Sequence, residues 1–308
     1  MEHLSVLFEE SLQGLNIKPD GFYIDCTFGR GGHSQGVLDQ LGDSGRLLAF
    51  DRDLAAINSV YADEMRKDVR FSLHHGCFSD LEQVVSQMGW LGKVDGVLMD
   101  LGVSSPQLDD SSRGFSFMRD GPLDMRMDDS AGLSAAEWLQ QVEEKDLVKV
   151  LFEYGEERFA RRIAKKVLET RDETPILTTL DLAKLIEGVV PKREKHKHPA
   201  TRSFQAIRIE INNELEEIKT SLQQAINILG PEGRLVVISF HSLEDRIVKR
   251  FIRNECGRKG NPGRLPVKEA DIEQGILKKI GKAVKAGKTE LQKNPRSRSA
   301  VMRVAERV

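Results

Sequence analysis

Residues 21–34 read GFYIDCTFGRGGHS: an apolar run from Phe22 to Ile24, an acid at Asp25, then Gly29, Gly31 and Gly32. An apolar run that ends in an acid and a glycine-rich turn, followed by a helix-like period through Val37 and Leu41, is the strand–turn–helix opening of a parallel sheet. The pattern continues outward from there. Arg46 to Asp51 (RLLAFD) reads as a second strand and is followed by a helix from about Leu54 to Met65. Val69 to His74 (VRFSLH) reads as a third and Val94 to Leu101 (VDGVLMDL) as a fourth. Short apolar runs alternating with helical periods indicate βαβ units, so the fold class is α/β. A fifth run, Arg234 to His241 (RLVVISFH), comes only after a gap of more than 130 residues.

The gap is mostly helical. Ser134-x-x-Glu137 is a capping-box start leading into Trp138, Leu139 and Val142, and Thr178-x-x-Asp181 resembles another. Ile207, Ile211, Leu215, Ile218, Leu222, Ile226 and Leu229 recur at helical spacing and predict one long helix, stopped by Gly230-Pro231. A crossover between strands needs only one helix, so the excess predicts an inserted helical domain. The expected organisation is 1–106 as the first part of the sheet domain, 107–203 as a helical substrate-recognition insertion, and 204–308 as the second part. Asn261 to Asn294, rich in Gly and Lys, reads as a mobile or partner-ordered segment.

At 308 residues, with 39% hydrophobic and 31% charged side chains, the chain has enough apolar material for a sizeable core. Its longest apolar stretch near a strand pattern, Leu235 to Phe240, is far short of the ~20 residues of a membrane span. No signal peptide is read at the acidic N-terminus. Cys26, Cys77 and Cys256 are odd in number and widely spaced, which favours a reducing cytoplasm over a disulfide framework or a zinc site. The net charge of −2 hides an asymmetry: Arg246 to Val308 holds 18 Lys/Arg against 6 Asp/Glu. A second basic cluster runs from Pro191 to Arg208, with six Lys/Arg against Glu194. One such run is ordinarily a solvated face. Two in a chain of opposite overall sign point to a polyanion, and nucleic acid is the expected partner.

The glycine turn lets backbone approach a ligand at the mouth of the sheet, and Asp51, closing the second strand, stands where a carboxylate grips a ribose diol. A G-x-G-x-x-G fingerprint starting at Gly29 would need glycine at position 34, where Ser34 stands. That counts against a dinucleotide and leaves S-adenosylmethionine, which has no pyrophosphate to cradle. The fourth strand runs out into Asp100-Leu101-Gly102-Val103-Ser104-Ser105-Pro106-Gln107. An acid followed by a polar-Pro turn resembles the catalytic loop of methyltransferases acting on exocyclic amines, (Asp/Asn/Ser)-Pro-Pro-(Tyr/Phe). Only one proline is present here and no aromatic follows it.

The blocks HLSVLFEE (His3–Glu10), TFGRGGHS, AFDRD, DLGVSSPQLDDSSRGFSFMRDGPLDMRMD, YGEERFARRIA, HPATRSFQAIRIEINNELEEI, SFHSLEDRIVKRF and NPRSRSAVMR together resemble the MraW family, the ribosomal RNA small-subunit methyltransferases H. The likeness runs from His3 to about Arg303. It implies a Rossmann-type class I methyltransferase sheet with an inserted helical domain. It also implies S-adenosylmethionine-dependent methylation of a cytidine N4 amine in the decoding region of 16S rRNA, with 16S rRNA or the small subunit as partner. Carried over residue by residue, the cofactor positions fall on Gly31, Gly32, His33, Asp51, Phe78, Asp100 and Gln107. The glycines would pass close to the methionine part, Asp51 would take the ribose hydroxyls, and Phe78 would pack on adenine. Asp100 would face the sulfonium electrostatically or bind the methionine amine. The plain alternatives are a core aromatic for Phe78 and a helix-start residue for His33.

The N4 lone pair of cytosine is delocalised into the ring, so a catalyst must orient the amine, accept its N–H bonds and receive a proton. Asp100, Ser104, Ser105 and the backbone around Pro106 are the expected catalytic acceptors, with the base flipped or splayed out to reach them. A carbon-5 methyltransferase would need a Pro-Cys nucleophile, which is absent, so no covalent enzyme–base intermediate is expected. His198, Arg202, Arg208 and His241 are the expected substrate-binding residues, and interdomain packing is their plain alternative. His196 and His198 sit among lysines, which works against a metal site; none is expected. A non-catalytic ribosome-assembly factor, an NAD-linked oxidoreductase and a small-molecule methyltransferase are the competing readings. The oligomeric state stays open, a homodimer included.

Overall fold

A computed structural model describes residues 5–191, 198–257 and 274–308, and the chain divides into two compact units, Met1–Gly102 with Leu215–Val308, and Val103–Glu214. In the first unit seven strands make one sheet: β1 (Phe22–Asp25), β2 (Arg46–Asp51), β3 (Phe71–His75), β4 (Val94–Asp100), β5 (Leu229–Ser239), β6 (Leu277–Lys285) and β7 (Val301–Arg307). Their order is β3-β2-β1-β4-β5-β7-β6; β1 to β5 are mutually parallel, and β7 runs antiparallel between β5 and β6. This is a Rossmann-like sheet with an antiparallel strand inserted at one edge. Leu47–Phe50 of β2 and Val97–Met99 of β4 are almost wholly buried. Both faces of a parallel sheet are covered, so its inner strands read as unbroken apolar runs. Strand order reverses between β1 and β4, and ligands of such sheets bind at the carboxyl ends of the strands beside that reversal.

Three sequence readings are corrected here. Residues 54–65 form two short helices, Leu54–Ile57 and Val60–Met65, because Ser59 starts a new one by accepting the Ala62 N–H at 3.2 Å. The fifth strand starts at Leu229, which pairs with Val94 across an irregular register, so Gly230-Pro231 lies within the strand. It ends at Ser239, ahead of His241.

The stretch read as mobile, 261–294, contains β6, and β7 was not read at all; residues 258–273 lie outside those described. β6 escaped because only Leu277 on it is fully buried. The hairpin is fixed by charge as well as packing. Arg303 pairs bidentately with Asp245, Glu306 takes Arg234 and Lys278, and Arg307 donates to the Ile226 and Leu229 carbonyls. Part of the C-terminal positive charge therefore serves the fold.

The second unit packs helices Ala135–Gln141, Glu144–Glu153, Ala160–Glu173, Thr179–Val189 and Thr201–Ile211 around Leu139, Leu147, Leu151, Ile163, Ile186 and Ile207. Both predicted caps form: Ser134 and Glu137 close a full capping box, and Thr178 accepts the Asp181 N–H. The single long helix does not. It breaks after Ile211 at Asn213, whose φ of 50° is left-handed, and resumes as Glu214–Ile228. Asn212 explains the break, since its side chain donates to the Met125 carbonyl and accepts from the Met127 N–H, both at 2.7 Å. Phe204 and Ile207 enter the helical core, so this unit extends to Glu214, past the boundary expected at 203.

Candidate active site

The carboxyl ends of β1, β2 and β4 carry Asp25, Asp51 and Asp100. Asp25 organises the turn beyond it. One oxygen accepts the Thr27 N–H at 3.1 Å and the other accepts the Ser34 hydroxyl at 2.7 Å. Ser34, read in the sequence only as a missing glycine, is thus what locks the helix Gly32–Leu38 to β1. Thr27 then accepts the Asp100 N–H through its hydroxyl at 2.8 Å, tying the glycine loop to the end of β4.

Gly29 and Gly31 have φ of 55° and 75°, a backbone that L side chains rarely adopt. A Cβ on Gly31 would come within 2.7 Å of Met65 Sδ and 3.0 Å of the Phe28 ring. Around Gly29, by contrast, a Cβ would meet only the Thr27 carbonyl oxygen, at 4.0 Å. The close approach expected at Gly31 is therefore, at its missing Cβ, an approach of the chain to itself, and the open space lies at Gly29.

Asp51 holds the turn from its other side, accepting N–H groups of Gly29 at 2.7 Å and Asp53 at 2.9 Å. Burial outweighs these hydrogen bonds and pushes its pKa up to about 6. Phe78 opens a short 3-10 turn just after β3 and is half-buried, which is less than a core aromatic would be.

Asp100 Oδ1 is buried and has no hydrogen-bond partner among the described residues. Burial, and then the nearby charges of Asp25 and Glu244, raise this carboxyl well above the usual range. His33, buried in the first turn of Gly32–Leu38, places Nδ1 3.7 Å from Asp100 Oδ2, with Nε2 3.1 Å from the Val6 carbonyl. The end of β4 is thus a cluster of acids with too few donors.

His241 departs from its expected place on an open rim. It caps the helix Ser242–Glu255: Nδ1 accepts the Glu244 N–H, and Nε2 lies 3.1 Å from Glu244 Oε1. Glu244 is fully buried and its Oε2 accepts the N–H groups of Phe240 and His241. Asp25, Ser34 and Glu244 were all missed as site residues. The x-x-Glu spacing after His241 was the one signal available for Glu244.

The remaining expected residues belong to the helical unit. Ser104 caps the helix Ser105–Asp109 in a full capping box, accepting the Gln107 N–H while Gln107 Oε1 accepts the Ser104 N–H at 2.9 Å. Pro106 occupies that helix's first turn, where it has no amide to lose. The carbonyl of Gln107 thus holds its own helix start. His198 is exposed, accepts the Ala200 N–H and packs its ring 4.7 Å from Phe117. Arg202 reaches the Glu156 carbonyl at 3.5 Å. Arg208 is not open to phosphate as expected: two of its N–H groups donate to Glu214 at 2.7 Å, and 14% of its side chain is exposed.

The model of the MraW methylase family matches residues 1–308. The chain belongs to the MraW methylase family. A ribosomal RNA small subunit methyltransferase H from Alteromonas mediterranea is 55% identical over 308 residues, covering 100% of this chain and 98% of that protein. One from Shewanella loihica is 57% identical over 307 residues, 99% of this chain and 97% of that protein. Among solved structures, an rRNA methylase from Streptococcus thermophilus gives a TM-score of 0.43 at 8% identity, covering 100% of this chain and 99% of that one.

The chain is accordingly an S-adenosylmethionine-dependent methyltransferase, and its strand ends fit that cofactor. The unpartnered Asp100 oxygen calls for a donor or a positive charge, and the methionine end of the cofactor carries both an ammonium and a sulfonium. Asp51 retains lone pairs for hydroxyl donors, and Gly29 leaves the turn open.

Proposed function

We propose that the chain methylates the N4 amine of a cytidine in the decoding region of 16S rRNA, by direct transfer and in the cytoplasm. The observation that carries the reading is Asp100: a carboxylate at the end of β4 with one buried, unpartnered oxygen, in a chain whose full-length relatives are small-subunit rRNA methyltransferases. S-adenosylmethionine supplies, when bound, the electrophilic methyl group.

The chain's own residues supply the rest. Asp51 accepts the ribose hydroxyls, Phe78 covers one face of the adenine, and the turn through Gly29 and Gly31 borders the methionine part. Asp100 is the acceptor for an amine N–H and for the proton released as the new N–C bond forms. A carboxyl raised by burial holds that proton better than an ordinary aspartate would. Ser104, Ser105 and the Pro106 backbone are the further acceptors on the amine, and His198 and Arg202 are the contacts to RNA. Arg208 braces the end of the helical unit through Glu214.

Direct transfer agrees with two of the three cysteines. Burial pushes the thiols of Cys26 and Cys256 up, which makes both poor nucleophiles. Among the described residues no helix is long and apolar enough to cross a membrane.

The test is methyl transfer from labelled S-adenosylmethionine to small subunits and to naked 16S rRNA from cells lacking the protein, with the labelled nucleoside identified by mass spectrometry. N4-methylcytidine is the expected product. Label in another nucleoside, or none with cofactor binding intact, overturns the substrate reading.

A further inference from the structure

A cavity of about 280 Å³ lies in the sheet unit between the helix Ser242–Glu255 and the edge strand β6, away from the ends of β1 to β4. The helix contributes Lys249, Ile252, Arg253 and Cys256, whose spacing of three, four and seven places them in one stripe. The strand contributes Lys279, Ile280, Lys282 and Ala283. Consecutive strand residues ordinarily face opposite sides. Here the pairing of β6 with β7 shifts between Ile280 and Val284, and Gly281 takes a φ of 63°, so the alternation is broken where the cavity is lined.

The chemistry of the wall is one-sided. Among the described residues none that lines it is acidic, and Arg303 on its wall is already held by Asp245. Among the described residues, no ion-pair partner is found for Lys249, Arg253, Lys279 or Lys282. Lysines on an edge strand commonly serve only to discourage pairing with other chains. That accounts for Lys279 and Lys282, but not for two helix cations converging on the same hollow over an apolar floor of Ile252 and Ile280. Four like charges around one cavity repel each other, and an anion entering it relieves that repulsion.

We infer that this cavity is a second rRNA contact, holding the backbone phosphates and one splayed nucleotide of a single-stranded stretch near the target. The inference rests on the rRNA reading above. RNA is read mainly where nucleotides are unstacked, and a cationic rim over an apolar floor suits a phosphate with its attached ribose and base. β6 lies three strands from β4, roughly 14 Å at the usual strand spacing, so the anchored stretch is a few nucleotides from the target.

The test uses the full chain with unmethylated small subunits and naked 16S rRNA, comparing wild type with the triple variant K249Q/K279Q/K282Q and the matched control K67Q/K93Q/K219Q. The cavity triple is expected to bind rRNA at least tenfold more weakly at moderate salt. Its log–log salt slope should be smaller by about 2, three neutralised contacts at ~0.7 each. S-adenosylmethionine affinity and kcat at saturating subunits should stay at wild-type values, as should all properties of the control. Equal rRNA affinity and slope in the cavity triple and wild type would overturn the inference.

A second variant, Ala283→Trp, fills the hollow without changing charge. It should weaken rRNA binding several-fold with the salt slope preserved; no effect beside a weakened triple would mean a diffuse charged face, not a cavity. Circular dichroism and melting of each variant identify any misfolded one. Label found outside N4-methylcytidine would remove the reaction reading while leaving these binding results to be judged on their own.

Discussion

In the helical unit, Glu214 accepts two hydrogen bonds from Arg208, both at 2.7 Å, and Asp124 holds Arg126 through Nε and Nη2 at 2.9 and 2.7 Å. At the strand ends of the sheet unit, Asp100 keeps an oxygen with no partner and has Asp25 and Glu244 for neighbours. The effect on the acids is opposite. Burial works to raise the Asp124 carboxyl, but the hydrogen bonds and charge of Arg126 prevail and hold it below the usual range, whereas nothing offsets burial at Asp100. An acid with its own arginine stabilises a fold. An acid without one is held in place by the surrounding structure and is available to something that is not part of the chain.

The largest effect should come from neutralising the unpaired acid. Asp100→Asn is expected to lower methyl transfer by about 10²–10⁴-fold, the range of a lost proton acceptor. The folded pKa of Asp100 is raised, so its favourable contribution is complete at low pH and is lost as pH rises through that value. The variant should therefore melt no lower than wild type at pH 8, with its advantage shrinking toward pH 5. A melting temperature well below wild type at pH 8 would assign Asp100 to the scaffold. The counterpart in the helical unit is Glu214→Gln. Removing one partner of a mostly buried pair typically costs about 3–5 kcal/mol, and denaturant unfolding of that unit should show it. A loss under 1 kcal/mol would erase the distinction between the units.

How much of this was legible follows from the same contrast. The first five strands could be read because residues such as Leu47–Phe50 and Val97–Met99 are buried on both sides and must be apolar. β6 could not, since an edge strand with lysines at 278, 279, 282 and 285 has the composition of a loop. The helix break at Asn212–Asn213 was equally hidden: the apolar period runs on through it, and the cause is a long-range hydrogen bond to Met125 and Met127. In the site, Asp51 and Asp100 stand at strand ends and were visible as such. Asp25, Ser34 and Glu244 act through one another and through backbone, and Arg208 was misjudged because a sequence gives the cation but not the glutamate six residues away that holds it.

A smaller effect should appear at Asp51. Its pKa of about 6 in the free protein reflects burial, and ribose hydroxyls need the ionised form as acceptor. The protonated fraction grows as pH falls, so S-adenosylmethionine affinity should drop about tenfold between pH 7 and pH 5, with a midpoint near 6. Calorimetric titration across that range measures it directly. Asp51→Asn should bind more weakly at pH 7 and show almost no dependence on pH; a wild-type profile that is flat from 5 to 7 would remove Asp51 from the ribose site.

The smallest expected effect separates the units by role. Arg202 lies in the helical unit, where one of its N–H groups reaches the Glu156 carbonyl at 3.5 Å, while Arg208 is gripped bidentately by Glu214 at 2.7 Å. Arg202→Ala should cost little stability, since the contacts of a part-exposed side chain contribute about 1 kcal/mol or less each. It should raise the KM for small subunits by about 3- to 10-fold, the scale of one lost phosphate contact, with a steeper penalty at low salt. Cofactor affinity, set at the strand ends of the other unit, should be unchanged. Equal loss of RNA methylation and cofactor binding would mean that Arg202 shapes the fold around the cofactor, and the division between a cofactor-binding sheet and an RNA-reading helical unit would have to be redrawn.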